Sequence, residues 1–123
     1  MIFEKSQRTP QVEIASDRCL IQGECYPENI AEWSSPILDA LRETLENSSQ
    51  DYNVDLELYY FNSSSAKFLF DFFEYLDEAA GEGRTININW RYRTEDAPII
   101  FVRVGASEHL SNKKNMIPWA KPN

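Results

Sequence analysis

The 123-residue sequence is poor in the residues on which enzymes are usually built: it has four glycines, two cysteines and one histidine. No glycine-rich phosphate loop of the Walker or dinucleotide type is present, since such loops need glycine wherever the backbone approaches a phosphate. His109 has no nucleophile spaced around it, which removes the basis for a hydrolase. Cys19 and Cys25 lack nearby ligands of metal-site spacing. They fall on one expected strand, where a rise of about 3.3 Å per residue carries them out of disulfide reach. Both are expected to be buried, reduced thiols. No apolar run approaches the roughly 18 to 20 residues that span a bilayer. The opening "MIFEKSQRTPQ" has no apolar core of signal-peptide length, so a cytoplasmic protein is expected.

Positive charge is also scarce. Twelve Lys and Arg face twenty Asp and Glu, a net charge of -8. Affinity for nucleic acid comes mainly from basic side chains neutralising phosphates, and anionic lipid makes the same demand. Neither nucleic acid nor a membrane surface is an expected partner. A protein with a basic patch suits this surface better. No metal, cofactor or catalytic residue is expected.

What the chain has is core-forming material: 42% of its residues are hydrophobic and 13% are aromatic. That is enough for one folded domain over 1–123. After a loose lead-in over 1–10, "QVEIAS" and "CLIQGEC" flank a turn and read as a hairpin. Ile30, Trp33, Ile37, Leu38, Leu41 and Leu45 recur at helical spacing. Pro36 interrupts them, and a proline inside a helix costs about 3 kcal/mol. A short turn over 28–34 is therefore expected, then a helix over 36–47 starting at Pro36 with Ser35 as its cap.

"NVDLELYYF" alternates as a strand, Val54, Leu56, Leu58 and Tyr60 against Asp55, Glu57, Tyr59 and Phe61. A helix over 65–80 follows, with Phe68, Leu69, Phe72, Phe73 and Leu76 on one stripe, and glycines at 81 and 83 to stop it. "RTININWRYR" alternates again, and 98–104 is a plausible further strand; 105–123 reads as a loop or irregular tail. The order β-β-α-β-α-β-β, with a parallel crossover from strand 54–61 to strand 85–92, predicts a small mixed sheet with helices mainly on one face, α/β bordering on α+β.

At the strand-to-helix junction stands "NSSS", residues 62–65. Asn and Ser are favoured helix caps worth about 1 kcal/mol each, so the run could be a cap alone. A cap, however, uses only one side chain. The first turn of a helix also carries a partial positive charge, which would tolerate the roughly two negative charges of a phosphoryl group on a serine.

"LELYYFNSSSAKFLFDFFEYL" (56–76) resembles the signature of the SiaC-type regulatory phosphoproteins, in which an apolar strand leads through Asn-Ser/Thr-Ser-Ser and Lys into a helix. "GECYPEN" (23–29) is similar to the family's Gly-x-Ser-Tyr-Pro-Glu-Asn motif with Cys25 in the serine place, and "INWRY" (88–92) to its Asn-Trp-x-Tyr strand. The resemblance covers about residues 8–95. It implies a STAS-like fold, similar to the anti-sigma-factor antagonists, and a phospho-switch that is not an enzyme. Ser63 would be the phosphoacceptor, with Ser64 as its rival. Asn62, Ser64, Ser65, Lys67, Tyr26, Pro27, Glu28 and Asn29 would form the partner surface, Ser65 being also the expected helix cap. The partners implied are a Ser/Thr kinase of the histidine-kinase-like ATPase type, a PP2C-type phosphatase and a diguanylate cyclase, which the unphosphorylated form would activate to raise cyclic di-GMP and favour biofilm. Two other readings stay open on the same residues: an anti-sigma-factor antagonist whose output is transcription, and an α/β domain using the junction as an anion site. The chain departs from the family pattern after its Trp-x-Tyr strand, where neither the acidic helix nor the short final strand of the family is legible.

Overall fold

The computed structural model describes residues 1–92 and 114–118. In chain order these form β1 (Ile2–Phe3), β2 (Gln11–Ile14), β3 (Arg18–Cys25), α1 (Ile30–Glu46), β4 (Tyr52–Phe61), α2 (Ser63–Gly81), β5 (Ile86–Tyr92) and β6 (Lys114–Pro118). The six strands make one sheet in the order β1-β2-β3-β4-β5-β6. β1, β2 and β3 pair antiparallel, while β3, β4, β5 and β6 run parallel. The expected hairpin and crossover are both present, in a mixed sheet of the expected kind.

Both helices are crossovers between neighbouring parallel strands, β3-α1-β4 and β4-α2-β5. Each steps the same way across the sheet, so right-handed connections bring both to the same face, where they pack against each other. Between that face and the helices lies a single core. Val54, Leu56 and Leu58 of β4 meet Ile37 and Leu41 of α1 and Phe68, Phe72, Phe73 and Leu76 of α2. Trp90 of β5 is fully buried with its ring stacked on Phe73, centroids 5.7 Å apart. The opposite sheet face is polar, with side chains bonded along it: Gln22 Nε2 donates to Glu57 and Asn89 Nδ2 to Asp55, and Arg91 pairs with Asp55 at 3.5 Å.

Four local expectations are corrected. α1 is one helix through Pro36, capped by Asn29 rather than begun at Pro36 under Ser35. Pro36 removes the donor for the Glu32 carbonyl. Both residues are exposed, so water can take that role, whereas breaking the helix would cost the continuous buried stripe of Ser34, Ile37, Ala40 and Leu41. The lead-in is not wholly loose: Ile2 and Phe3 pair with Glu13 and Val12. The tail contributes a strand, since β6 runs parallel to β5 from Ile88↔Lys114 to Tyr92↔Pro118. The strand expected over 98–104, His109 and the rest of the tail lie outside the described residues.

The fourth correction concerns β4. Its register against β3 passes from Gly23↔Leu58 to Glu24↔Tyr60, leaving Tyr59 as an extra residue. Such a bulge reverses the alternation beyond it. Phe61 therefore enters the core at 4% exposure, and Tyr60 turns outward at 47%. Gly23 opposite has φ +131, and a Cβ there would lie 3.3 Å from Pro10 Cα, so only glycine fits this part of β3.

Candidate functional site

β3 and β4 end side by side, and their last residues Cys25 and Phe61 are register partners. The two segments singled out in the sequence thus emerge next to each other, "YPEN" leading into α1 and "NSSS" into α2. The Asn62 N–H donates to the Cys25 carbonyl at 3.4 Å, tying one exit to the other.

Each exit is capped by an asparagine. Asn29 Oδ1 accepts from the Glu32 N–H at 3.1 Å, and Asn62 Oδ1 from the Ser65 N–H at 2.9 Å. Asn62 is thus the cap of α2, and the expectation that Ser65 caps it is overturned. The amide oxygen satisfies one of the orphan donors of the first turn. It leaves Ser63 and Ser64 exposed as the first two helical residues, and rotates Ser65 into the protein, where it is fully buried.

Ser65 Oγ finds no full hydrogen-bond partner. Its polar neighbour is the Cys25 thiol, a weak partner for a hydroxyl. Burial pushes that thiol up, the Ser65 contact opposes part of the rise, and the result is about 11. Cys19, also free and buried, is pushed up to about 12 by burial and by Asp55. Both remain thiols at neutral pH, and neither offers a reactive thiolate.

Around the exits stand residues that were not singled out in the sequence. The exposed Tyr60 packs edge-on against Tyr26, centroids 5.7 Å apart. Tyr26 is fastened at both ends, its N–H donating to Arg8 O at 2.8 Å and its hydroxyl to Gln7 O at 3.1 Å. Arg8 also pairs with Glu28 at 2.9 Å. Tyr60 was hidden by the bulge, which the alternation does not announce; Arg8 lacked any local signal. Pro27 is half-buried, Glu28 and Asn29 are exposed, and Lys67 is exposed one turn into α2. Lys67 borders a groove between the opening turns of the two helices, lined also by Ile30, Ala31, Ser34, Ser35, Leu38, Phe68 and Asp71. Of the expected partner surface, then, Ser65 is sealed from solvent and the others reach the surface at least in part. Among the described residues no cluster of His, Cys, Asp or Glu could hold a metal ion. No described helix is long and apolar enough to cross a membrane.

Residues 3–117 match the family described as SiaC family regulatory phosphoprotein. The chain belongs to the SiaC family. An uncharacterised protein of Pseudomonas aeruginosa strain UCBPP-PA14 is 33% identical over 89 residues, which is 71% of each chain. Among solved structures, the complex of the diguanylate cyclase SiaD with its activator SiaC from Pseudomonas aeruginosa matches with a TM-score of 0.84 and 26% identity, covering 97% of this chain and 99% of that one. Apo-SiaC from the same organism matches with a TM-score of 0.79 and 24% identity over 98% of both chains, a likeness of fold. The SiaC match extends to residue 117 and so reaches into β6, beyond the Trp-x-Tyr strand after which the family pattern is not legible in the sequence.

Proposed function

We propose that this SiaC-family chain is a switch without catalysis of its own. Its Ser63 hydroxyl, or that of Ser64, is reversibly phosphorylated, and the unphosphorylated form binds and activates a diguanylate cyclase. A kinase moves the γ-phosphoryl group of ATP to the serine Oγ, with ADP leaving and the hydroxyl proton passing to the kinase. A PP2C-type phosphatase hydrolyses the phosphoester with water, which restores the serine hydroxyl and releases inorganic phosphate.

The observation that carries this reading is the exposed Ser63–Ser64 pair on the first turn of α2, beside the Tyr26–Asn29 loop, in a chain from a family of regulatory phosphoproteins. The helix end tolerates the dianion there, with its free N–H groups and partial positive charge. The cyclase is proposed because the SiaC of the matching complex is described as the activator of SiaD. Partner side chains would meet Tyr26, Pro27, Glu28, Asn29, Asn62, Ser63, Ser64 and Lys67, and the exposed Tyr60 extends that surface.

Incubation with a histidine-kinase-like Ser/Thr kinase and ATP, followed by mapping with mass spectrometry, is the direct test. Phosphate is expected on Ser63, and phosphate found only outside 63–65 would sink the proposal. Ser63→Ala should keep cyclase activation in the presence of the kinase, whereas Ser63→Asp should weaken it.

A further inference from the structure

Lys67 stands apart from the arginines described. Arg8, Arg18, Arg42 and Arg91 each pair with a carboxylate, at 2.9, 3.9, 3.5 and 3.5 Å. Arg84 is buried and bonded to four carbonyls. Lys67 is exposed, has no ion pair among the described residues, and is the only cation of α2.

Its spacing matters. Lys67 is four residues after Ser63, which puts the two side chains on one face of the helix a turn apart. An anion placed N-terminal to a cation at this spacing is the more favourable orientation, and the helix end adds to it. Asp71 lies four residues further on, but with the cation N-terminal the pair has the less favourable order, and no bridge forms. The α1 side of the groove bears Ile30, Ala31, Ser34, Ser35 and Leu38, which carry no charge. Lys67 thus borders a largely apolar groove, with Asp71 the one other charged residue lining it.

We propose that Lys67 reads the phosphate: it pairs with a carboxylate of the partner cyclase while Ser63 is a free hydroxyl, and a phosphoryl group on Ser63 takes it in cis. The partner then loses its ion pair and meets a dianion in its place. A cyclase segment that presents an apolar side chain to the groove and a carboxylate to Lys67 fits this surface. The inference rests on the switch reading above and adds the residue that couples modification to binding.

The test uses full-length protein with phosphoserine installed at position 63 by genetic encoding, so that it does not depend on the kinase's choice. The phosphorus resonance is titrated in Lys67 and Lys67→Met proteins. In cis pairing, the phosphoserine midpoint rises by about 0.3 pH unit in Lys67→Met, the size expected of an exposed pair at this spacing. The second readout is affinity for a diguanylate cyclase, with SiaD of Pseudomonas aeruginosa as the probe. Lys67→Met should weaken binding of the hydroxyl form several-fold, and the penalty from phosphoserine should be smaller in that background, because the ion pair it would break is already gone. An unchanged midpoint, or a full phosphate penalty in Lys67→Met, overturns the inference. Kinase-delivered phosphate confined to sites outside 63–65 would sink the switch reading while leaving the titration shift in place, which keeps the two failures apart.

Discussion

At the end of the sheet where the parallel strands begin, the Arg84 guanidinium donates to the carbonyls of Gln50, Leu45, Ser48 and Ser16, at 2.6, 3.0, 2.7 and 3.0 Å. It also lies 4.9 Å from the Tyr52 ring centroid. One side chain thereby binds the end of α1, the approach to β4 and the turn before β3. Gly83, at φ +100, makes the backward turn that delivers it. At the other end, where β3 and β4 finish, a hydroxyl pair and a lysine face solvent and a buried serine lacks a full partner. A buried charge held by four carbonyls resists change. Exposed groups without partners are available to something that arrives.

The sharpest way to break the contrast is to alter the hidden member of the serine run. Ser65→Asp places a carboxylate where nothing is exposed, and should destabilise by more than about 4 kcal/mol in urea titration. Ser65→Ala forfeits no full hydrogen bond and should stay within about 1 kcal/mol of the parent. At the fastened end, Arg84→Ala should cost about 3 kcal/mol, because several carbonyls lose their donor together. Arg84→Lys should recover little of this, since an ammonium lacks the planar fork that reaches them. Asn62→Ala removes a cap and should cost about 1 kcal/mol. The smallest effect is expected for Ser63→Asp, a gain of about 0.3 kcal/mol from the helix end, visible as a slight upward shift in thermal midpoint. That order, hidden serine and buried arginine above cap and cap above exposed serine, is what the two-ended construction requires.

The parts of this fold legible in the sequence are those with their own periodicity. The stripe from Phe68 to Leu76 and the alternation of Val54, Leu56 and Leu58 required one helix and one strand with a buried side. What escaped was decided by neighbours. β6 is a short strand held against β5, and "KNMIP" carries no alternation of its own. α1 runs through Pro36 because its buried stripe outweighs one missing hydrogen bond. The bulge at Tyr59 exchanged the faces of Tyr60 and Phe61, and that depends on the register against β3. At the site, the junction itself was legible. The choice of cap was not, since Asn and Ser are chemically equivalent candidates until the backbone angles at residue 62 are known.

The burial of Ser65 also bears on how substrates for such a junction are chosen in the laboratory. A synthetic peptide copied from residues 58–70 would present three hydroxyls in sequence, all equally reachable. The folded chain presents two, because the third is turned inward. An enzyme that marks Ser65 in the peptide and ignores it in the intact protein would be showing no discrimination of its own; the fold has already narrowed the address.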